Sequence, residues 1–238
     1  MEEHFFQIHP DNLHHNQFTL SKEESLHFLK SLRGKKGDSL WLLDGLGTAY
    51  EGTVSGINGK SVSGIIKQAH PSYGESDYEI HLAIGLIKGN RMDFVLEKAT
   101  ELGVKSIQPL LLDRCVKTKL NMDRANRIVI TAAKQSGRSY FPQVRDLIGM
   151  TCWLDNLKGC RKIVCRFLGK KTLANSLGKA RIKVWMLIGP EGDFSENEIE
   201  QMKQAHVEFI SLGPRRLRSE TAAIVAISNL NQLIGNEG

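Results

Sequence analysis

From Tyr78 onward the chain alternates two apolar rhythms, and that alternation restricts the possible fold more than any other feature. Tyr78, Ile80, Leu82, Ile84 and Leu86 recur at every second position, the spacing of a strand. Met92, Val95, Leu96, Ala99 and Leu102 then recur with the helical period and stop at Gly103. The pattern repeats. Strands are predicted at Ser106–Leu112, Arg161–Phe167, Lys183–Ile188 and Val207–Leu212. Between them fall a helix capped by Asn121 and running to about Ser136, and one opened by the capping box Ser195/Glu198 and running to about Ala205; an apolar helix over Ser219–Leu233 comes last. Strands and helices alternating in this way fold as an α/β layer around a mostly parallel sheet.

The first part of the chain reads differently. Asp44-Gly45 follows the apolar run Leu40–Leu43, and Asn58-Gly59 separates Tyr50–Ile57 from Ser61–Ile66, a strong hairpin signal. A helix over Ser21–Leu32 is predicted from Ser21 as cap and Glu24 at the capping-box position. The turn-rich Ala69–Asp77 lacks apolar periodicity and marks a boundary. The expected organisation is a small β-rich module over 1–70, a linker over 71–77 and an α/β domain over 78–238.

Charge supports the same division. The chain of 238 residues carries a net +6, but residues 1–77 hold 7 basic and 10 acidic side chains, leaving −3 there against +9 in the remainder. Residues 88–145 alone hold 12 Lys/Arg against 5 Asp/Glu. Such a surface attracts polyanions through counterion release, which makes nucleic acid a plausible partner. A hydrophobic content of 41% and a mean hydropathy of −0.26 exclude a disordered or collagen-like chain, and no apolar run approaches the ~20 residues of a membrane span. Cys115, Cys152, Cys160 and Cys165 follow no C-x-x-C spacing and H-E-x-x-H is absent, so free thiols and no structural metal are expected. The acidic start Met1-Glu2-Glu3-His4 is unlike a signal peptide, and a cytoplasmic protein is expected.

Two glycine-bearing loops have the form of ligand sites. Leu187-Ile188-Gly189-Pro190-Glu191-Gly192-Asp193 leads from an apolar strand into the Ser195-capped helix, a position where α/β sheets bind ligands. It is not a phosphate loop. Pro190 lacks an N–H, and Glu191 and Asp193 repel anions, so a cofactor with a cation and hydrogen-bonding hydroxyl and amino groups suits it better. Leu212-Gly213-Pro214-Arg215-Arg216-Leu217-Arg218-Ser219-Glu220-Thr221 is a second glycine turn entering a helix, carrying three arginines. If the two strand ends adjoin, both loops line one pocket. Two basic clusters, Lys88–Asp93 and Ala132–Arg138, fall at helix ends, where side chains reach a ligand or simply meet solvent.

In order and spacing, K-G-N-R-x-D, Val95–Val104, A-A-K-Q-S-G-R, L-I-G-P-E-G and L-G-P-R-R-L-R-S-E-T-A resemble the bacterial family that methylates N3 of a uridine in 16S ribosomal RNA. Residues His27–Arg33 and Gly37 through Gly45 resemble that family's PUA-like RNA-binding β-barrel. The resemblance implies a SPOUT-class methyltransferase with a trefoil-knotted C-terminal α/β domain, acting as a homodimer on 16S rRNA or the small ribosomal subunit. It implies an S-adenosylmethionine site built from Phe167, Leu187, Ile188, Gly189, Pro190, Glu191, Gly192, Leu212, Gly213, Arg216, Leu217, Arg218 and Thr221, with no metal. The chain departs from the family pattern at Asp193, where a glycine is usual, at Arg216, where an aliphatic residue is usual, and at Glu2-Glu3-His4, near which an arginine is usual.

Methyl transfer to uracil N3 needs loss of a proton and stabilisation of charge spreading to O2 and O4. Arg218 is the expected oxyanion stabiliser and Glu220 its orienting partner or the proton acceptor. Arg33, Arg91, Arg114, Gln135 and Arg138 are the expected RNA contacts. Two alternatives remain open at this level: a non-catalytic ribosome-assembly factor with a vestigial pocket, and the same chemistry on transfer RNA or another base atom.

Overall fold

The computed structural model describes residues 4–157, 159–166, 172–174 and 183–235. Contacts divide the chain into two units: Met1–Ser76 with Thr131–Phe141, and Asp77–Ile130 with Pro142–Gly238.

The first unit holds strands β1 (Phe5–Gln7), β2 (Leu13–His14), β3 (Gln17–Thr19), β4 (Ser39–Leu43), β5 (Thr48–Asn58) and β6 (Ser61–Pro71), with the short helix α1 (Lys22–Leu26). They form one curled sheet in the order β1-β4-β5-β6-β3-β2, antiparallel except for β1 with β4. The Asn58-Gly59 hairpin is present, with Gly59 at φ +60°. The core is Phe6, Ile8, Phe18, Leu20, Phe28, Leu40, Leu42, Val54 and Val62. Gly64 is dictated by packing: a Cβ there would stand 2.3 Å from the Thr53 carbonyl and 2.4 Å from the Phe18 ring. Ser21 caps α1 as expected, accepting from the Glu24 N–H. The regular helix predicted to Leu32 ends early, because His27–Ser31 widens into a π turn that closes with Leu32 N–H donating to His27 O.

Two expectations of organisation differ from what is seen. The 71–77 stretch is tied down: Pro71 ends β6, and Tyr73 O accepts from both the N–H and the hydroxyl of Ser139. Thr131–Phe141, expected within the α/β domain, clusters with the first unit. There Lys134 pairs with Glu24, Arg138 with Glu75, and the Phe141 ring fills the space beside Gly45.

The second unit is the predicted α/β layer. Its strands are β7 (Glu79–Gly85), β8 (Ser106–Leu111), β9 (Gln143–Val144), β10 (Ile148–Gly149), β11 (Arg161–Cys165), β12 (Lys183–Ile188) and β13 (Glu208–Ile210). The order is β10-β8-β7-β12-β11-β13, with β9 also on β8, and every pairing is parallel. Helices α2 (Asn90–Glu101), α3 (Met122–Gln135), α4 (Met150–Asn156), α5 (Glu196–Gln204) and α6 (Ser219–Gly235) complete the chain. The period of two sorts β12 between two cores: Val184, Met186 and Ile188 join one with Met92, Val95 and Ile227, and Trp185 and Leu187 join the other with Trp153, Phe194 and Met202. Both faces are covered, as a parallel sheet requires. The capping box of α5 is complete, Ser195 Oγ accepting from Glu198 N–H and Glu198 accepting from Ser195 N–H.

Candidate functional site

Because the strands of the second unit are parallel, their carboxyl ends share one edge, and the loops that follow them meet there. A cleft of about 730 Å³ opens at that edge, lined by Arg91 after β7, Cys165 and Arg166 at the end of β11, Ile188–Glu191 and Asp193 after β12, and Leu212, Gly213, Arg215–Ser219 and Ala222 after β13. The strands carrying the two glycine loops are not neighbours, since β11 lies between β12 and β13. The loops nonetheless line the same cleft.

The Glu191–Asp193 stretch is held at three successive residues by guanidinium groups, one from the start of α2 and two from other loops. Arg91 Nη1 lies 3.3 Å from Glu191 Oε1, which also accepts from the Lys88 N–H at 3.2 Å. Arg114 Nη1 donates to the Gly192 carbonyl at 3.0 Å. Arg166 donates from Nε and Nη2 to Asp193 Oδ2 at 3.3 and 3.2 Å. Asp193 sits at φ +60°, a left-handed conformation that glycine adopts freely and aspartate tolerates. The position's departure from glycine is thus accommodated by a residue type able to hold the same backbone. Beneath the turn, Gly85 admits no side chain, because a Cβ would stand 2.7 Å from Pro190 Cδ and 2.8 Å from its nitrogen.

The second loop carries the opposite electrostatics. Gly213 has φ +123° with open space where a Cβ would lie. Arg215, Arg216 and Arg218 are exposed, and among the described residues no carboxylate lies within ion-pairing distance of them. Glu220, in the first turn of α6 and outside the cleft lining, has Oε1 4.0 Å from Arg91 Nε, while its buried Oε2 has no hydrogen-bond partner among the described residues. At the floor, burial pushes the Cys165 thiol up to about 12, so it is a neutral apolar lining and not a nucleophile.

Of the expected cofactor residues, the cleft brings together Ile188, Gly189, Pro190, Glu191, Leu212, Gly213, Arg216, Leu217 and Arg218. Leu187 points into the core, and Gly192 and Thr221 stand outside the lining, Gly192 with a Cβ position 2.9 Å from Arg114 Cβ. Phe167 lies outside the described residues. Arg91, expected as an RNA contact, is instead a cleft residue bound to carboxylates. Arg138 is 2% exposed, its guanidinium paired with Glu75, so it belongs to the interior of the first unit and does not present itself to RNA. Arg33 and Gln135 are exposed, Arg33 at φ +53°. Nothing in the sequence pairs Arg166 with Asp193; the one signal for Arg166 is its position at the end of a predicted strand.

The class of protein that such a sheet-edge cleft defines is confirmed by comparison. The RNA methyltransferase domain family matches residues 74–231, and the RNA methyltransferase PUA domain family matches residues 20–67. A curated relative, the ribosomal RNA small subunit methyltransferase E of Buchnera aphidicola subsp. Schizaphis graminum (strain Sg), is 32% identical, with 92% of this chain and 91% of the relative covered. The crystal structure of a ribosomal RNA small subunit methyltransferase E from Neisseria gonorrhoeae bound to S-adenosyl methionine superposes with a TM-score of 0.88 at 30% identity, covering 98% of each chain. A Legionella pneumophila structure in complex with the same cofactor gives 0.86 at 30% identity, again over 98% of each. The chain belongs to the ribosomal RNA small subunit methyltransferase E family.

Proposed function

We propose that this chain transfers a methyl group from S-adenosylmethionine to N3 of a uridine in 16S rRNA. The observation that carries the reading is the convergence of the 188–193 and 212–218 loops on one cleft whose lining includes Arg218, an arginine with no carboxylate in ion-pairing range among the described residues. The cleft suits the cofactor in size and chemistry: Ile188, Pro190, Leu212, Leu217 and Ala222 give apolar walls for an adenine, and the volume lies within the range of small-molecule sites. The open space at the Gly213 Cβ position leaves its backbone approachable. When bound, the cofactor supplies an electrophilic methyl group on a sulfonium.

The remaining work falls to side chains of this chain. Arg218 places positive charge against the uracil carbonyl oxygens as N3 loses its proton. Glu220 is paired with Arg91 and not with Arg218, so it takes the role of proton acceptor rather than of orienting partner to Arg218. Arg91, Arg114 and Arg166 keep the Glu191–Asp193 turn in place, so the cleft wall is formed before substrate arrives. In the first unit, exposed Arg33 and Gln135 suit RNA contact. A homodimer, supported by exposed Phe94, Leu111 and Val116, a trefoil knot and a cytoplasmic location belong to the same reading. Among the described residues no helix is long and apolar enough to cross a membrane.

The test pairs calorimetric titration of S-adenosylmethionine with mass analysis of nuclease-digested 16S rRNA after incubation with protein and cofactor. Binding together with a one-methyl gain on a uridine, positioned to block Watson–Crick pairing, is expected. Cofactor binding with a methyl on another atom or on transfer RNA alone would refute the N3 assignment, and RNA binding without cofactor uptake would make this an assembly factor.

A further inference from the structure

We infer that Arg215 and Arg216 form a phosphodiester anchor that grips the RNA backbone beside the methylated nucleotide; the inference rests on the rRNA-methylating reading and assigns that site a substrate contact. The cleft lining holds five arginines against two acids, Glu191 and Asp193. Those acids are already used: Glu191 by Arg91 at 3.3 Å and Asp193 by Arg166 at 3.2 Å. The surplus of positive charge is therefore confined to the Arg215–Arg218 turn, where three guanidiniums within four residues have no carboxylate in range among the described residues. Three like charges this close repel one another, and an anion relieves the repulsion. S-Adenosylmethionine carries an ammonium and a sulfonium beside its one carboxylate, so it is a net cation and does not relieve the repulsion. Arg218 faces the base in the proposed chemistry, which leaves two guanidiniums for anions of the substrate.

Phosphodiesters fit what remains. Both side chains are exposed at the mouth of the cleft, and guanidinium matches phosphate through paired N–H donors. The turn that carries them follows Gly213, which has open space at its Cβ position among the described residues. Arg216 stands where the family pattern has an aliphatic residue, and the extra cation strengthens the anchor in this chain.

The experiment is filter binding of unmodified 16S rRNA, transcribed in vitro, to the full chain from 50 to 300 mM KCl, an interval chosen on the order of physiological ionic strength. Arg215→Gln, Arg216→Gln, the double variant and Arg216→Lys are compared with the parent protein. Each lost phosphate contact should reduce the slope of log K against log salt by about 0.7, and the affinity about 5-fold near 0.1 M salt. The double variant should lose about 1.4 in slope, and Arg216→Lys should retain the parent slope because the charge is kept. Calorimetry with S-adenosylmethionine should give the parent affinity for Arg215→Gln, a residue outside the expected cofactor set. Unchanged slopes would overturn the anchor. A fall in cofactor affinity with unchanged slopes would also overturn it, by assigning the arginines to the cofactor. If the parent chain takes up no cofactor, the enzymatic reading fails by itself, and the slopes still decide whether these arginines hold phosphate.

Discussion

Glu75 and Arg138 form the most completely buried ion pair of the first unit, and removing one partner should unfold that unit before it affects anything else. Their side chains are 4% and 3% exposed, and the guanidinium is bidentate, Nε to Oε1 at 3.1 Å and Nη2 to Oε2 at 2.9 Å. Glu75 Oε1 also accepts from the Tyr140 N–H at 3.2 Å. Glu75→Gln preserves shape but leaves a guanidinium buried opposite a neutral amide, and breaking a buried pair in this way costs about 3–5 kcal/mol. For a unit of this size, 3 kcal/mol corresponds to a melting shift of roughly 12 °C or more. Trp41, the one tryptophan of this unit, stacks on Tyr73 at 4.7 Å, two residues before Glu75, so urea unfolding followed by its emission reads the loss. Trp153 and Trp185 belong to the other unit and are replaced by Phe in the background protein. Arg138→Gln should cost a similar amount, and the double variant Glu75→Leu with Arg138→Met much less than the sum, because no charge is then left unpaired. A loss below about 1 kcal/mol for either single variant, comparable to an exposed pair, would refute the argument. So would an Arg138→Gln protein of parent stability with weakened RNA binding.

Further outcomes follow from other parts of the fold. His81 is stacked on Trp185 at 4.7 Å, with Glu79, Lys183 and Arg145 as its charged neighbours, and burial lowers its pKa from 6.5. The unfolded chain therefore binds the proton more readily, so stability should be level above about pH 6.5 and decline as the pH falls below it. His81→Phe, melted at pH 7 and pH 5, should lose most of that decline. Gly85→Ala drives a methyl into Pro190 and should cost about 1–3 kcal/mol in thermal melts while weakening S-adenosylmethionine affinity by calorimetry; a neutral result would show that the turn can shift. In the native protein at pH 8, exposed Cys152 should react with a thiol reagent while Cys165, pushed up to about 12, stays unlabelled in peptide mass maps.

The second unit was legible because its strands are buried on both faces and its helices on one, so the period of apolar residues reports directly on the layer. Val184 to Ile188 alternate between two cores as the spacing requires. The short strands β9 and β10, two residues each, carry too little pattern to be read, and α4 was missed because Met150, Trp153 and Leu154 make only one apolar turn. The site was legible as two loops, since glycine and proline mark turns whatever their function. What lay beyond reach was partnership. A basic residue at a helix end looks the same in sequence whether it meets solvent, as Arg33 does, or is closed on a carboxylate 63 positions away, as Arg138 is. Strand order was equally hidden, and with it the presence of β11 between the two loop-bearing strands.

That strand order explains why the cleft has one fixed side and one open side. β12 lies between β7 and β11, with β8 one strand further, so the loop after β12 is surrounded by the segments that follow those strands, each bringing an arginine: Arg91, Arg114 and Arg166. β13 is the edge strand, with a neighbour on one side alone, and its loop receives no such partners among the described residues. Glu191 and Asp193 therefore face cations and are held, whereas Arg215, Arg216 and Arg218 face solvent and stay available. The aspartate at position 193 fits this division: its left-handed backbone costs more than glycine's would, but its carboxylate gains Arg166, so the substitution that departs from the family pattern also fastens the wall it occupies.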